Sequence, residues 1–258
     1  MKTNLSFFKQ VGIAFRGYGK AVSFIFEKGL WIYFIYSLII GALLFLAGFG
    51  LLHSLADYLE EYIVSSFFSD DMKNSFLGDA LNLLLSVGLN ILFFFVASTL
   101  NKYVLLILMS PIMSLLSERT EEIITGKKYP FSFSQLLKDV ARGSLIALRN
   151  MMIEFGFIFL GLIVVWIPVL GWCYGIFLLF VSWYFYGFSM LDYVSERRKL
   201  GISGSVSFVR SHKGLAIGNG FLFAVIFTIP LIGGMLAAVA APVAACAAVL
   251  EMESQKQA

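Results

Sequence analysis

The sequence is poor in charge and in the residues from which enzymes and metal sites are built. Of 258 residues, 14% are charged, against about 25% in an ordinary soluble domain, and there are two histidines, two cysteines and five prolines. So few charges cannot cover the surface of a water-soluble fold, which excludes a soluble enzyme. Cys173 and Cys246 each lie inside an apolar run, a pattern that fits packing residues better than a disulfide framework or a thiolate metal site. No nucleophile sits beside a base, no Walker or dinucleotide loop occurs, and His53 and His212 fall on opposite sides of the topology derived below. The expectation is a chain with no catalytic residues, no metal and no cofactor. A net charge of +3 is too small to point to nucleic acid.

What the chain has is apolar length: 59% of residues are hydrophobic and mean hydropathy is +0.87. That composition defines an integral membrane protein, all-α because every backbone polar group in lipid must be satisfied within its own segment. Gly29 to Leu52 is a mostly apolar run of 24 residues, enough for a first transmembrane helix at about 1.5 Å per residue. Between Ala80 and Ser117 only Lys102 is charged. A second helix there is about 57 Å long, so it must tilt, protrude or bend, and Pro111 is the expected kink or break.

Four further apolar arms follow, Met151 to Ile167, Trp172 to Leu191, Gly214 to Ile229 and Leu231 to Leu250. They pair around Pro168 and Pro230 as two Pro-tipped helical hairpins. Ile167-Pro168-Val169-Leu170-Gly171 answers Ile229-Pro230-Leu231-Ile232-Gly233, and a basic stretch with Arg149 or Arg210 precedes each unit, so an internal repeat is expected. Glu154 leaves only Phe155 to Ile167 uncharged in the first arm, about 20 Å of helix, so the hairpins either span or penetrate partly.

Charge sets the orientation. Residues 1–28 hold five Lys/Arg, 118–149 six and 192–213 five, whereas 53–79 hold one lysine and six acids. By the positive-inside rule both termini are cytoplasmic and the acidic loop is external, in the inner (plasma) membrane. The resulting segmentation is one membrane domain: an amphipathic interfacial helix (1–28), the first span (29–52), an external loop (53–79), the long second helix (80–117), a cytoplasmic arm (118–150), hairpin one (151–191), a cytoplasmic loop (192–213), hairpin two (214–250) and a tail (251–258). In the first helix Phe8, Val11, Phe15, Tyr18, Val22 and Phe26 recur at helical spacing, with Lys9, Arg16 and Lys20 off that stripe. The stripe fits a helix lying on the inner surface, or one packed against the bundle. Ser134 is the expected cap of a helix from Gln135 to Arg149, whose Lys138, Arg142 and Arg149 form a basic face toward lipid or a partner.

Ionisable groups at membrane depth are candidate functional residues. Lys102 is expected to snorkel to the cytoplasmic interface, and Glu154 is open between a pathway role and an interfacial one. Asn82, Ser86, Asn90 and Asn101, with Ala97, form a polar or small stripe on the second helix, which can line a water path or glue helices and protomers together. At the start of the first span, Lys28-Gly29-Leu30 combines a cation with helix N-terminal amides that attract oxyanions.

The chain resembles the CysZ-type sulfate permease family, which includes the etoposide-induced membrane proteins. The resemblance runs over roughly residues 8–250. It rests on Ser110-Pro111 followed by Glu118, Glu121 and Thr125-Gly126, on Leu191-Asp192-Tyr193, on Ser207-Phe208 through Arg210 and His212 to Gly214-Leu215-Ala216, and on the two Ile-Pro tips. It implies an inner-membrane oligomer with two long transmembrane helices and two partly penetrating hairpins, binding sulfate at a G-L-R element. This chain reads Gly29-Leu30-Trp31, so the arginine is absent and the Gly29 and Leu30 amides with Lys28 must take its place. Gly233 also stands where bacterial permeases tend to carry Asn. The expected function is a homo-oligomeric pathway for a small, sulfate-like oxyanion; the alternative is a non-transporting scaffold that acts on lipid or partner proteins.

Overall fold

The computed structural model describes residues 5–39, 42–43, 58, 76–128, 132–164, 168–229 and 232–257, with only the backbone of 76–98, 101, 105, 136, 162, 168–169, 171–172 and 256–257. Seven helices account for most of them: α1 (Phe7–Glu27), α2 (Phe76–Thr125), α3 (Phe133–Val164), α4 (Pro168–Arg197), α5 (Ile202–Ser211), α6 (Lys213–Phe227) and α7 (Gly233–Gln257), with a 3-10 turn at Leu30–Ile32. No strand occurs among the described residues. Among the described residues four helical stretches are long and apolar enough to cross a membrane: Lys102–Thr125, Phe133–Gly161, Cys173–Arg197 and Gly233–Gln255. The pair Phe7–Glu27 and Leu30–Ile39 passes the same test together but is bent by 97°.

The centre of the bundle is α7, and its composition explains why. Ala237, Ala238, Ala241, Ala244, Ala245 and Ala248 are wholly buried and small enough for α1, α2, α4 and α6 to approach on all sides. A Cβ on Gly17 of α1 would lie 2.6 Å from the Ala244 carbonyl oxygen. The tightest contact is between α4 and α6. A Cβ on Gly187 would collide with the Ala216 carbonyl, and one on Gly220 with that of Trp183, so two glycines set the spacing of those helices. Hairpin one closes where Tyr174 donates to the Phe157 carbonyl at 2.7 Å with its ring against Gly161. Its tip at 165–167, and Pro230 and Leu231 of the second tip, lie outside the described residues.

Several local expectations change. The second helix does not break at Pro111 but continues to Thr125. Proline cannot donate to the carbonyl four residues back, that of Ile107, and the Ser110 hydroxyl donates to that oxygen instead at 2.8 Å. The serine of the Ser-Pro pair therefore repairs the gap its proline creates. The cap of α3 is Ser132, whose hydroxyl accepts the Gln135 N–H at 3.4 Å, and not Ser134. The helix then runs without interruption from the basic face into the first hairpin arm.

The first helix buries a face that shares only Tyr18 with its large apolar stripe. Ile13, Ala14, Gly17, Tyr18, Ala21 and Ile25 pack on the bundle, whereas Phe8, Phe15, Val22 and Phe26 are exposed. Small residues win the contact because α6 and α7 present small residues in return. Gln10 ties the start of α1 to α6 by accepting from the Gly214 and Leu215 amides at 3.2 and 3.4 Å.

Apart from the pair Lys102 and Glu154, the ion pairs of the described residues gather at one end of the bundle. Arg16 and Lys20 of α1 pair with Glu251 of α7, and Arg198 at the end of α4 pairs with Glu253 of α7. Arg142 of α3 pairs with Asp192 of α4, and Arg197 of α4 with Glu121 of α2. The far end of hairpin one instead exposes Phe159, Ile163, Leu170, Ile176 and Phe180, as a lipid-facing surface does.

Candidate functional site

Deep between α2, α3 and α4 lies a polar cluster assembled from residues far apart in sequence. Lys102 and Glu154 form an ion pair in which the two side chains are 1% and 4% exposed. Tyr103 donates its hydroxyl to the same Glu154 oxygen at 2.9 Å, and Lys102 donates to the Ser182 hydroxyl at 3.2 Å. The ammonium also stands 4.7 Å from the Tyr103 ring centre and 4.6 Å from that of Tyr186. Two aromatic faces and a hydroxyl thus solvate the cation while a carboxylate neutralises it, the arrangement a buried charge needs.

Lys102 therefore does not snorkel. Its side chain turns inward because Glu154 offers a better partner than the interface would. Measured along the helices at about 1.5 Å per residue, the cluster is about 28 Å from Glu121 on α2, about 18 Å from Arg142 on α3 and about 15 Å from Asp192 on α4. Glu154, neutralised in this way, no longer marks the point where the first hairpin arm must leave the apolar phase.

Toward the charged end two more buried networks join the same helices. Arg142 forks onto Asp192 with bonds of 3.1 and 3.0 Å and donates to the Leu200 carbonyl at 3.2 Å; Ser205 of α5 donates to the same carboxylate. Arg197 donates to Glu121 at 2.6 Å, to Ser117 at 2.9 Å, to the Tyr193 carbonyl at 3.0 Å and to the Cys246 sulfur at 3.5 Å. Ser114 donates to Glu196 at 2.7 Å. The Leu191-Asp192-Tyr193 and Ser-Pro…Glu segments are thus helix-to-helix ties. His212, buried where α5 meets α6, has Nδ1 2.8 Å from the Phe208 carbonyl.

The Lys28-Gly29-Leu30 element lies at the 97° bend. Gly29 adopts φ +70°, the left-handed conformation that glycine tolerates best, and so permits the turn between α1 and Leu30–Ile39. Its N–H points at the Phe26 carbonyl, 3.4 Å away, and that of Lys28 at the Phe24 carbonyl, 3.0 Å away, so both serve the end of α1. Lys28 is exposed, the Leu30 side chain is buried and Trp31 is half exposed. Asn82, Ser86, Asn90 and Asn101 all fall on α2, but their side chains lie outside the described residues. The structure thus brings Glu154 together with Lys102 and not with Lys28.

Tyr103, Ser182 and Tyr186 escaped the sequence reading because an aromatic or a serine in an apolar run carries no period of its own. The pairing of Arg142 with Asp192 had a usable signal, a basic residue and an acid each at the charged end of neighbouring arms. Among the described residues no three His, Cys, Asp or Glu side chains gather as metal ligands would.

Long apolar helices, a small-residue core and charges gathered at one end, apart from the buried Lys102–Glu154 pair, mark a multi-pass α-helical membrane protein. Residues 18–237 match the family described as sulfate transporter CysZ/etoposide-induced protein 2.4, and the chain belongs to that family. A comparison with curated proteins gives no match.

Proposed function

We propose that the chain forms a pathway for a small oxyanion of the sulfate type across the inner membrane, with both termini and the charged end of the bundle in the cytoplasm, and that it works as a homo-oligomer. The observation that carries this reading is membership, over residues 18–237, of a family described by sulfate transport. The bend at Lys28-Gly29 supports it: an exposed cation stands at a left-handed glycine where the chain turns into the first span. With the Lys28 and Gly29 amides engaged by α1, the anion contacts fall to the Lys28 ammonium and the amides at Leu30 and Trp31.

The Lys102–Glu154 cluster serves this function as a lock and not as a binding site. Its cation is already neutralised and enclosed, so an arriving anion would have to displace Glu154. The polar stripe of Asn82, Ser86, Asn90 and Asn101 belongs to the same reading, as pathway lining or as the seam between protomers. The test is flux. Purified protein in liposomes takes up labelled sulfate, sulfite or thiosulfate above empty vesicles; absence of uptake and of anion current removes the transport reading.

A second reading, a membrane scaffold of the same fold, is favoured by one observation. Phe8, Phe15, Val22 and Phe26 remain exposed on α1 while its other face is packed, so an apolar surface is left for lipid or a partner. Deleting Phe8 to Phe26 then abolishes effects on membrane shape or on partner capture.

A further inference from the structure

Most arginines of the charged end are held by carboxylates, Arg16 by Glu251, Arg142 by Asp192, Arg197 by Glu121 and Arg198 by Glu253. Arg149 and Arg210 are different. Among the described residues neither forms an ion pair, and Arg149 donates to the neutral amide oxygen of Asn150 at 2.9 Å. One arginine precedes each hairpin, and the fold brings them to one place. Together with Ile202, Ser203, Val206 and Ser207 they line an open groove of about 770 Å³, far larger than a single tetrahedral oxyanion.

The donors in this groove are of three kinds. Two guanidinium forks suit phosphate oxygens, and two serine hydroxyls stand beside them. The third is the N-terminus of α5, whose first residues Ile202 and Ser203 line the groove. Its cap, Gly201, has no side chain to occupy the orphan amides.

The surroundings are apolar. On α3, Leu145, Leu148 and Met152 stand four and one residues before Arg149 and three after it, and they are 59%, 48% and 63% exposed. Charged donors flanked by exposed aliphatic side chains, with Met152 on the side of Glu154 and the apolar part of α3, match an amphiphile, whereas a free oxyanion uses the donors alone.

We propose that this groove binds the headgroup phosphate of an anionic phospholipid, with Arg149 and Arg210 forked on the phosphate and the acyl chains running past Met152 toward the apolar part of α3. The site is separate from Lys28 and independent of whether the chain transports anything.

The test is lipid retention by the full-length protein in mild detergent, titrated with phosphatidylglycerol or phosphatidylcholine and counted by native mass spectrometry. Arg149→Gln and Arg210→Gln are each expected to lower phosphatidylglycerol binding about tenfold, the scale of one charge-assisted contact. Lys138→Gln removes the same charge outside the groove and leaves binding at the parental level, and phosphatidylcholine binds weakly throughout. Arg149→Lys and Arg210→Lys keep the charge but lose the fork, and fall between parent and glutamine variants. Parental phosphatidylglycerol retention in both single glutamine variants, or an equal loss with Lys138→Gln, overturns the site. A separate arm adds inorganic phosphate or sulfate against chloride of equal ionic strength. Displacement of lipid by phosphate or sulfate beyond that by chloride overturns the lipid assignment in favour of a free oxyanion.

Discussion

Removing one member of the Lys102–Glu154 pair leaves the other charge buried among Tyr103, Tyr186 and Ser182 without its counter-charge. Breaking a buried pair costs about 3–5 kcal/mol, and insertion scales put a lone lysine or acid at the centre of a membrane helix at about 2.5–3.5 kcal/mol. The two figures agree on the scale. For a chain of this length about 1 kcal/mol moves Tm by about 2–4 °C, so Lys102→Met and Glu154→Gln should each lower the midpoint by about 6–20 °C. The double variant removes both charges and keeps both volumes, because Met fills the space of the lysine stem and Gln still accepts from the Tyr103 hydroxyl. It should recover much of the loss, with a coupling energy of about 2–3 kcal/mol. The assay is thermal unfolding in detergent followed by tryptophan fluorescence, with all four proteins at one lipid-to-detergent ratio. Additive shifts in the double variant, or single variants within about 2 °C of the parent, would show that the two charges are not a buried pair and refute the reasoning.

Other consequences are as direct. Ser110→Ala removes the donor that satisfies the Ile107 carbonyl beside Pro111 and should cost about 1 kcal/mol, read as a small fall in Tm with unchanged oligomer size. Gly187→Ala and Gly220→Ala should each destabilise by about 1–3 kcal/mol or more, because the new methyl meets backbone of the facing helix; loss of monodisperse protein in gel filtration checks this. Arg142→Lys keeps the charge but loses the bidentate grip on Asp192, and a loss of about 1.5–3 kcal/mol is expected in the same unfolding assay. Gly29→Val imposes a β-branched side chain at φ +70°, and protease sensitivity around residues 27–33 should rise.

The helical content and the placement of the apolar segments were legible because membrane depth demands long uncharged runs, and here the runs from Ala80 and from Met151 stand out. The turn at Lys28–Gly29 falls where charge stops and glycine begins in the sequence. The pairing of Lys102 with Glu154 was not, since each residue alone resembles a flanking charge and nothing local says that α2 and α3 face each other there. The buried face of α1 was hidden for a related reason. A stripe read from large residues points at Phe8 and Phe15, whereas Ala14, Gly17 and Ala21 carry the contact because their partner helix is built of alanine. In the sequence Ser110 is half of a Ser-Pro pair, yet its role as substitute donor becomes visible only once the helix is seen to continue through Pro111.

The most direct test of an oxyanion pathway beginning at the bend is labelled sulfate uptake into proteoliposomes, comparing the parent with Lys28→Ala and Trp31→Arg at matched protein density. The expected result is uptake by the parent that falls with Lys28→Ala and rises with Trp31→Arg, since one change removes and the other adds a cation at the turn. A silent parent together with silence in both variants contradicts the pathway and leaves the scaffold reading.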